Sequence, residues 1–272
     1  MIAAPKSRWL ERSFRAYNRR YLRRSFHRVH LDGDLAHLRG DGANPLIVCL
    51  NHSSWWDLLL GIFLSEHLAE WDSYAAMDER QLARYRFFAR LGCIGVDRTS
   101  LAGAREFVAH CATLLEGKPR ALWMTPQGQF TSPAIRPVQF QPGVGAIAKS
   151  LSSFYVSTVV LDYEFWTEKL PEAFISVRPP EYVQVGAGFD RREFVRLMEH
   201  KMEAHLDQFT ALRLQRNPAL FTTMLSSAGG VSPVYDAIRA VAATLRGEQI
   251  RLSHHEAATP AWSQPESRES PR

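Results

Sequence analysis

A histidine and a carboxylate stand five positions apart in the segment Asn51–Asp57, which reads NHSSWWD. A neutral imidazole can accept a proton from an alcohol, and a carboxylate on its other ring nitrogen fixes the tautomer and stabilises the imidazolium. Residues five positions apart on one helix point about 140° away from each other, so a helix alone cannot join His52 to Asp57. The pair predicts a general base with its orienting partner, provided that the chain turns between them.

The flanking residues favour such a turn. The short apolar run 46–50 is typical of a strand buried on both faces, and residues 56–64 favour a buried helix. Ser53 and Ser54 are suitable N-cap residues for that helix. We therefore expect His52 to lie in the strand-to-helix connection, with its ring turned back toward Asp57. A capping or core histidine, with Asp57 as a helix cap, is an alternative that the spacing alone leaves open.

Strand and helix patterns alternate through the rest of the chain. A length of 272 residues with 46% hydrophobic residues suits one large domain. We predict a single α/β domain over residues 31–250, with a mixed, largely parallel central sheet flanked by helices and a final helix over residues 232–246. Predicted strands cover residues 73–77, 94–96, 121–124, 156–163 and 173–177; helix faces are marked by residues 82–91, 107–114, 142–151 and 194–209. Loops 52–57, 97–99 and 125–129 follow predicted strands, at the edge where open α/β sheets place active sites.

The excess positive charge lies in the first 30 residues. They contain nine Lys or Arg residues against Glu11 alone, a net charge of +8, so the remaining chain carries −3 to give the total of +5. Leu10, Phe14, Tyr17 and Tyr21 recur there at helical spacing. A basic, aromatic amphipathic helix can lie in the interface of an anionic membrane. We predict that residues 1–30 form such an arm and attach the protein peripherally to the cytoplasmic face. The alternatives are a helix packed on the domain and a nucleic-acid contact, which no recognisable motif supports.

Other features narrow the class of protein. No run reaches the roughly 20 apolar residues of a membrane-spanning helix, and arginines interrupt the region where a signal peptide would be apolar. Cys49, Cys93 and Cys111 lie in apolar surroundings without paired spacing, which predicts buried reduced thiols, no disulfide and no metal site. The polar segment 251–272 holds His254 and His255 but lacks the apolar content of a folded region, so we expect disorder there.

Two of the loops resemble the motifs of a known family. The segment Asn51–Asp57 is similar to the His-x4-Asp block of the bacterial 1-acylglycerol-3-phosphate (lysophospholipid) acyltransferases. The segment Gly92–Arg98, which reads GCIGVDR, is similar to the second block of that family, which ends in a substrate-binding arginine. The two blocks keep the family's order and separation. The resemblance spans roughly residues 45–165.

The third block departs from the family pattern. The family reads Phe-Pro-Glu-Gly-Thr-Arg there and uses the block to bind the glycerol and phosphate of the acceptor, whereas residues 125–130 read TPQGQF. Gln127 keeps hydrogen-bonding capacity without charge, and Phe130 lacks the bidentate phosphate clamp of an arginine. Arg136 could replace that arginine or be a surface charge. The last block, an apolar strand leading to a proline, is half met by residues 156–161.

The resemblance implies an O-acyltransferase. In it His52 would deprotonate an acceptor hydroxyl, Asp57 would orient the imidazole, and Arg98 would bind an anionic headgroup; Thr125, Gln127 and Gly128 would contact the substrate. The acceptor would be a lysolipid similar to lysophosphatidic acid, and the donor would be acyl-CoA or acyl carrier protein, with no further cofactor and no metal. A nucleophilic serine is not indicated, because the chain has no Gly-x-Ser-x-Gly elbow.

Two alternatives remain at this point. Gln127 and Phe130 motivate the same chemistry on a lipid without phosphate, such as a glycosylated terpenoid (a carotenoid glycoside, for example) or an amino lipid. A more remote interpretation is a non-catalytic protein that binds membrane or nucleic acid, in which the His52–Asp57 pair is structural.

Overall fold

The computed structural model describes residues 5–38, 43–68 and 71–227. The helices in this part of the chain are α1 (Arg8–Ser25), α2 (Trp56–Ser65), α3 (Glu79–Arg84), α4 (Leu101–Leu115), α5 (Gly143–Lys149) and α6 (Arg191–Leu214), with short 3-10 helices at Leu35–Leu38, Arg86–Leu91 and Pro218–Leu220. The strands are β1 (Arg28–Asp32), β2 (Leu46–Leu50), β3 (Asp72–Asp78), β4 (Cys93–Val96), β5 (Arg120–Met124), β6 (Ser153–Glu164), β7 (Glu172–Val177), β8 (Glu181–Gln184) and β9 (Thr222–Ser226).

The strands form one mixed sheet in the order β4-β3-β5-β2-β6-β7-β1-β9, and β8 pairs with β6. Strands β4, β3, β5, β2 and β6 are parallel neighbours, and β7 is parallel to β1. The antiparallel pairs are β6–β7, β1–β9 and β6–β8. The predicted α/β class, with a mixed and largely parallel sheet flanked by helices, is confirmed.

Helices cover both faces of the sheet, which explains why β2 is apolar throughout. Ile47 and Cys49 point into a core shared with α4, α5 and α6. Leu46, Val48 and Leu50 point into a second core on the opposite face, shared with α1 and α2. Because successive side chains of a strand alternate between faces, a strand at this position needs an apolar residue at every place.

The N-terminal segment is helical, as predicted, but α1 packs on the domain. Leu22 and Phe26 are buried in the core beneath α2, and Asn18 donates from Nδ2 to the carbonyl oxygen of Leu59 at 2.9 Å. Strand β1 follows directly, so the boundary predicted after residue 30 falls inside a strand. Trp9 and Tyr17 remain 77% and 59% exposed. Of the predicted apolar stripe, Tyr17 is exposed, whereas Leu22 and Phe26 are buried. Membrane attachment stays a prediction.

Several predicted elements differ from those observed. The pattern over residues 82–91 is divided between α3 and a 3-10 helix, because the turn at Tyr85 allows the adjacent Phe88 and Ala89 to be buried together with Leu82. Strands β1, β8 and β9 were not predicted, because each is short and contains polar residues that interrupt an apolar pattern. The predicted helix over 232–246 and the segment 251–272, with His254 and His255, lie outside the described residues.

The three cysteines are buried, as predicted. Burial raises the pKa of Cys49, Cys93 and Cys111 to about 12, so the thiols stay protonated near neutral pH. None of the helices within residues 5–38, 43–68 and 71–227 is long and apolar enough to cross a membrane.

One buried amide fixes the end of β2, directly before His52. Asn51 is 1% exposed; its Nδ2 donates to the carbonyl oxygen of Leu161 at 2.9 Å, and its Oδ1 accepts from the backbone N–H of Leu161 at 2.7 Å. The side chain thus continues the β2–β6 pairing beyond the last residue of β2. The residue that begins the segment 51–57 is therefore held by a neighbouring strand.

We predict that Asn51→Ala lowers the free energy of unfolding by about 2 to 4 kcal/mol, because it leaves the buried N–H and C=O of Leu161 without partners. Urea denaturation followed by circular dichroism measures the change. Gln215→Ala, which shortens an exposed amide side chain, is the matched control and should shift stability by less than about 0.5 kcal/mol. A loss equally small for Asn51→Ala would contradict the assigned role.

Candidate active site

The structure brings His52 and Asp57 together at the turn between β2 and α2. His52 Nδ1 lies 2.9 Å from Asp57 Oδ2, and the two side chains are 25% and 1% exposed. A carboxylate can only accept a hydrogen bond, so Nδ1 carries the proton and Nε2 keeps a free lone pair. His52 lines the large groove at this edge of the sheet. The imidazole is thus oriented as a base with Nε2 as its accepting atom.

Asp57 receives three further hydrogen bonds. The backbone N–H groups of Ser53 and Ser54 donate to Oδ2 at 2.8 and 2.9 Å, and the hydroxyl of Tyr163 donates to Oδ1 at 2.7 Å. These donors stabilise the ionised carboxylate away from water. The expected serine capping is only partly met: Ser54 Oγ accepts weakly from Trp56 N at 3.3 Å, whereas Asp57 itself binds the free N–H groups before the helix.

Tyr163 is a member of the site that the sequence did not indicate. It stands at the end of β6, and its ring stacks on Phe26 with the centroids 5.8 Å apart. Burial, reinforced by the neighbouring charge of Asp57, raises the pKa of Tyr163 well above its usual value. The hydroxyl therefore stays protonated and donates to Asp57. Only a slight signal in the sequence pointed to Tyr163. The family pattern has a proline after the apolar strand, whereas this chain continues with the polar residues 162–164.

The backbone of His52 is fixed by the third block and by Thr131, which follows it. Gln127 Oε1 accepts from the backbone N–H of His52 at 2.7 Å, and the backbone N–H of Thr131 donates to the carbonyl oxygen of His52 at 2.7 Å. Gln127 is only 7% exposed, and its buried side-chain oxygen is satisfied by this backbone donor. Substrate contact had been predicted for Gln127, but its acceptor oxygen is engaged in holding the histidine.

Arg98 and Gly128 meet at the ends of β4 and β5. Gly128 has a φ of 73°, and a Cβ added there would lie 3.0 Å from Arg98 Nη1 and 3.1 Å from Gln141 Cγ. The positive φ favours glycine at this position, and a larger residue would also push against the side chains of Arg98 and Gln141. Arg98 Nη2 donates to Asp78 Oδ2 at 3.2 Å, and the arginine side chain is 47% exposed. Its guanidinium remains accessible to an anion in the groove.

Phe130 stands where the family pattern has arginine. Its ring centroid lies 4.3 Å from that of His52, and the side chain is 62% exposed. Arg136 does not replace the missing arginine. It donates from Nε and Nη2 to Asp207 Oδ1 at 3.1 and 2.5 Å, and from Nη1 to the carbonyl oxygens of Pro133 and Ile135, and it does not line the groove.

The groove has a volume of about 2120 Å³ and crosses the carboxyl ends of the strands. One end is apolar and lies between α1, α2 and the 3-10 helix before β4; it includes Phe14, Tyr17, Leu58, Ile62 and Phe87. The other end lies against α4, α5 and α6. Thr125, Gly128, Arg98 and His52 line the middle. A single drug-sized ligand needs about 300 to 1,000 Å³, so the groove has room for two substrates.

Within the described residues, no cluster of three or more His, Cys, Asp or Glu side chains is placed to hold a metal ion. Gln141, like Tyr163, was missed by the sequence reasoning; it lies beside Arg98 and Gly128 because its backbone N–H donates to the carbonyl oxygen of Pro126 at 2.7 Å. No pattern in the sequence signals that contact, which depends on how the loop 129–142 returns to the sheet.

Two comparisons with known proteins gave a match, one with a protein family and one with a solved structure. The acyltransferase family model matches residues 14–162, which is more than half of the chain. The structure is similar to the crystal structure of the 1-acyl-sn-glycerophosphate (LPA) acyltransferase PlsC from Thermotoga maritima, with a TM-score of 0.51 and 15% sequence identity, over 74% of this chain and 80% of that one. At this identity the likeness shows a shared fold. A search among curated proteins found no match.

The family match includes the two motif blocks and the strands that carry them, from β1 through most of β6. The resemblance to the glycerolipid acyltransferases is thereby confirmed, and so is the prediction of an enzyme. The chain belongs to the acyltransferase family.

Proposed function

We propose that this enzyme moves a fatty acyl group from the thioester of acyl-CoA or acyl carrier protein to a hydroxyl of a lysophospholipid similar to lysophosphatidic acid. The observation that carries the proposal is the hydrogen-bonded His52–Asp57 pair, with Nε2 of His52 free, in a groove with room for donor and acceptor. The mechanism is general-base catalysis combined with the positioning of two bound substrates.

In the reaction, the acceptor hydroxyl gives its proton to His52 Nε2 as its oxygen attacks the thioester carbonyl carbon. The tetrahedral intermediate then collapses, the C–S bond breaks, and the leaving thiolate takes the proton back from His52. Asp57 stabilises the imidazolium between these two steps and keeps the ring in one orientation. Arg98 binds the anionic headgroup of the acceptor, and Thr125 and Gly128 border the same space. Neither an acyl-enzyme nor a metal is required.

A second acceptor class is favoured by Phe130. A phenylalanine 4.3 Å from His52 puts an apolar ring where the family has a phosphate-binding arginine, and Arg136 is occupied by Asp207. A lipid without phosphate, such as a glycosylated terpenoid or an amino lipid, would suit this surface. Comparing the rates of acylation of lysophosphatidic acid and of neutral lysolipids, at the same donor concentration, distinguishes the two acceptor classes.

The outer face of α1 supports a proposal of peripheral attachment to an anionic membrane. Trp9 and Tyr17 are exposed, and several arginines of α1 are exposed as well, among them Arg12 and Arg20. The apolar end of the groove also borders α1. A lipid substrate could thus pass between the bilayer and the groove without crossing water.

We predict that His52→Ala lowers kcat for acyl transfer by about 100- to 10,000-fold, because the base is lost while the fold is retained. Transfer of a radiolabelled acyl group to lysophosphatidic acid measures the rate, and circular dichroism checks the fold. The exposed His200→Ala is the matched control and should leave the rate unchanged. Wild-type turnover by folded His52→Ala would refute the mechanism.

We predict that Tyr163→Phe lowers kcat about tenfold with little change in either KM, because Asp57 loses one of its four donors and holds the imidazole less firmly. Steady-state kinetics with both substrates varied measures the split. Tyr182→Phe, which removes the hydroxyl of a half-exposed tyrosine on β8, is the control. An unchanged kcat in Tyr163→Phe would show that the tyrosine is not needed to position the pair.

We predict that Arg12→Gln/Arg20→Gln weakens binding to anionic vesicles about 30-fold, since each exposed arginine near an anionic surface contributes about 1 kcal/mol. Sedimentation with vesicles that contain phosphatidylserine measures binding, and pure phosphatidylcholine vesicles give the background. Lys118→Gln/Lys201→Gln carries the same change of charge away from α1 and should bind as the wild type does. Equal loss in both double variants would mean that net charge, not the α1 face, governs attachment.

A further inference from the structure

The end of the groove opposite α1 is lined by cations from three helices. They are Arg105 of α4, Lys149 of α5, and Arg191, Arg192 and Arg196 of α6. All five side chains are exposed. We refer to these five residues as the cationic wall. The mechanism described above uses none of them.

The positive charge of the wall is only partly offset by the described part of the chain, where the carboxylate of Asp190 interacts electrostatically with Arg196 and Arg192. No hydrogen bond or ion pair joins the four guanidinium groups to another described side chain, and Lys149 Nζ donates to the carbonyl oxygen of Phe189 at 3.0 Å, which leaves its charge intact. The described carboxylates that line the groove are engaged elsewhere: Glu11 with Arg15, Asp57 with His52, and Asp78 with Arg98.

Acidic groups farther along α6 are bound within the protein. Glu199 Oε1 accepts from the backbone N–H of Phe140 at 2.7 Å, and Glu203 Oε1 accepts from that of Val138 at 2.9 Å. Asp190 caps the helix by accepting from the backbone N–H groups of Arg192 and Glu193. These backbone contacts hold the loop 138–140 and the start of α6. Asp190 and the exposed Glu193 set two carboxylates against five cations, so the wall keeps a net positive charge.

The wall is held in place by tight packing between its helices. A Cβ added to Gly145 of α5 would lie 2.6 Å from the carbonyl oxygen of Arg191, so α5 and the first turn of α6 are in backbone contact. Phe107 of α4 and Val144 of α5 are buried in the same core as Phe194 of α6. The cations of the three helices are therefore carried by a fixed framework, and their charges converge on one end of the groove.

From the α1 end to the opposite end, the groove presents an apolar surface, then His52, and then the cationic wall. An acyl-CoA has the same order: the hydrocarbon chain, the thioester, and then a pantetheine arm that leads to a diphosphate and a ribose 3′-phosphate. A lysophosphatidic acid also carries a phosphate, but it is a single group close to the reacting hydroxyl, where Arg98 already lies. Five cations spread over three helices match a ligand with several separated phosphates.

We propose that the cationic wall binds the phosphate groups of CoA and so selects acyl-CoA as the donor. This inference rests on the proposed function for the position of the thioester at His52. In this arrangement Arg192 and Arg196 bind the nucleotide end of the donor, while the acyl chain extends toward α1 and α2. Donor binding and acceptor binding then depend on different charged residues of one groove.

The test uses isothermal titration calorimetry with the full chain and adenosine 3′,5′-bisphosphate. This probe is the nucleotide end of CoA without the pantetheine arm that carries the acyl group. Arg192→Gln and Arg196→Gln should each weaken binding about three- to tenfold and raise KM for acyl-CoA by a similar factor, with KM for the lysolipid unchanged. Lys201→Gln makes the same change of charge on α6 but outside the groove, and it should match the wild type. Dephospho-CoA, which lacks the 3′-phosphate, should bind more weakly than CoA.

Three results would overturn the inference: no binding of the bisphosphate, equal binding by the wild type and both arginine variants, or a rise in KM for the lysolipid instead of the donor. Acyl transfer from acyl carrier protein alone, with no binding of CoA, would also overturn it, and the proposed acyl transfer would still stand. Conversely, if His52→Ala kept full turnover while the bisphosphate still bound through Arg192 and Arg196, the proposed mechanism would fail and the assignment of the wall would remain.

Discussion

The site depends on the burial of one charge, the carboxylate of Asp57. Its side chain is 1% exposed, and an ionised carboxylate without partners in such a place costs several kcal/mol. Four donors offset that cost: His52 Nδ1, two backbone N–H groups before α2, and the hydroxyl of Tyr163. Because those donors come from the β2–α2 turn and from the end of β6, the carboxylate ties two elements of the sheet to one imidazole. The orientation of His52 follows from satisfying this buried charge.

The third motif block and the residue after it make two kinds of contact with His52. Gln127 and Thr131 bind the backbone of His52 on both sides, so this segment holds the histidine in place without needing a charged residue. Phe130, in the same segment, faces His52 with an exposed ring. Under the proposed function, neighbouring residues therefore hold the histidine and border the acceptor. A substitution at Phe130 would then change the surface that meets the acceptor without removing the hydrogen bonds that hold His52.

The sequence was sufficient for the parts of the fold that local patterns specify. The apolar run of β2, the start of α2 and the face of α6 marked by Phe194, Met198 and Met202 all lie close to where they were expected. His52 and Asp57 could be paired because they flank a single turn. Tyr163 could not be placed, since its contact spans 106 positions and depends on the register of β2 against β6. The hydrogen bond from the backbone N–H of His52 to Gln127 could not be predicted either, because spacing does not tell whether an amide faces substrate or a neighbouring backbone. Substrate contact by Gln127 stays a prediction.

In the proposed mechanism the imidazole of His52 removes the acceptor's proton during a direct transfer. This role is tested most directly by measuring acyl transfer in His52→Ala as imidazole is added to the solution. His52 is 25% exposed at the groove, so its removal opens a space that free imidazole can enter from solvent. We expect a rate close to background without imidazole and a saturable increase as the imidazole concentration rises. A folded variant that transfers the acyl group at the wild-type rate, independent of imidazole, would contradict the proposed mechanism.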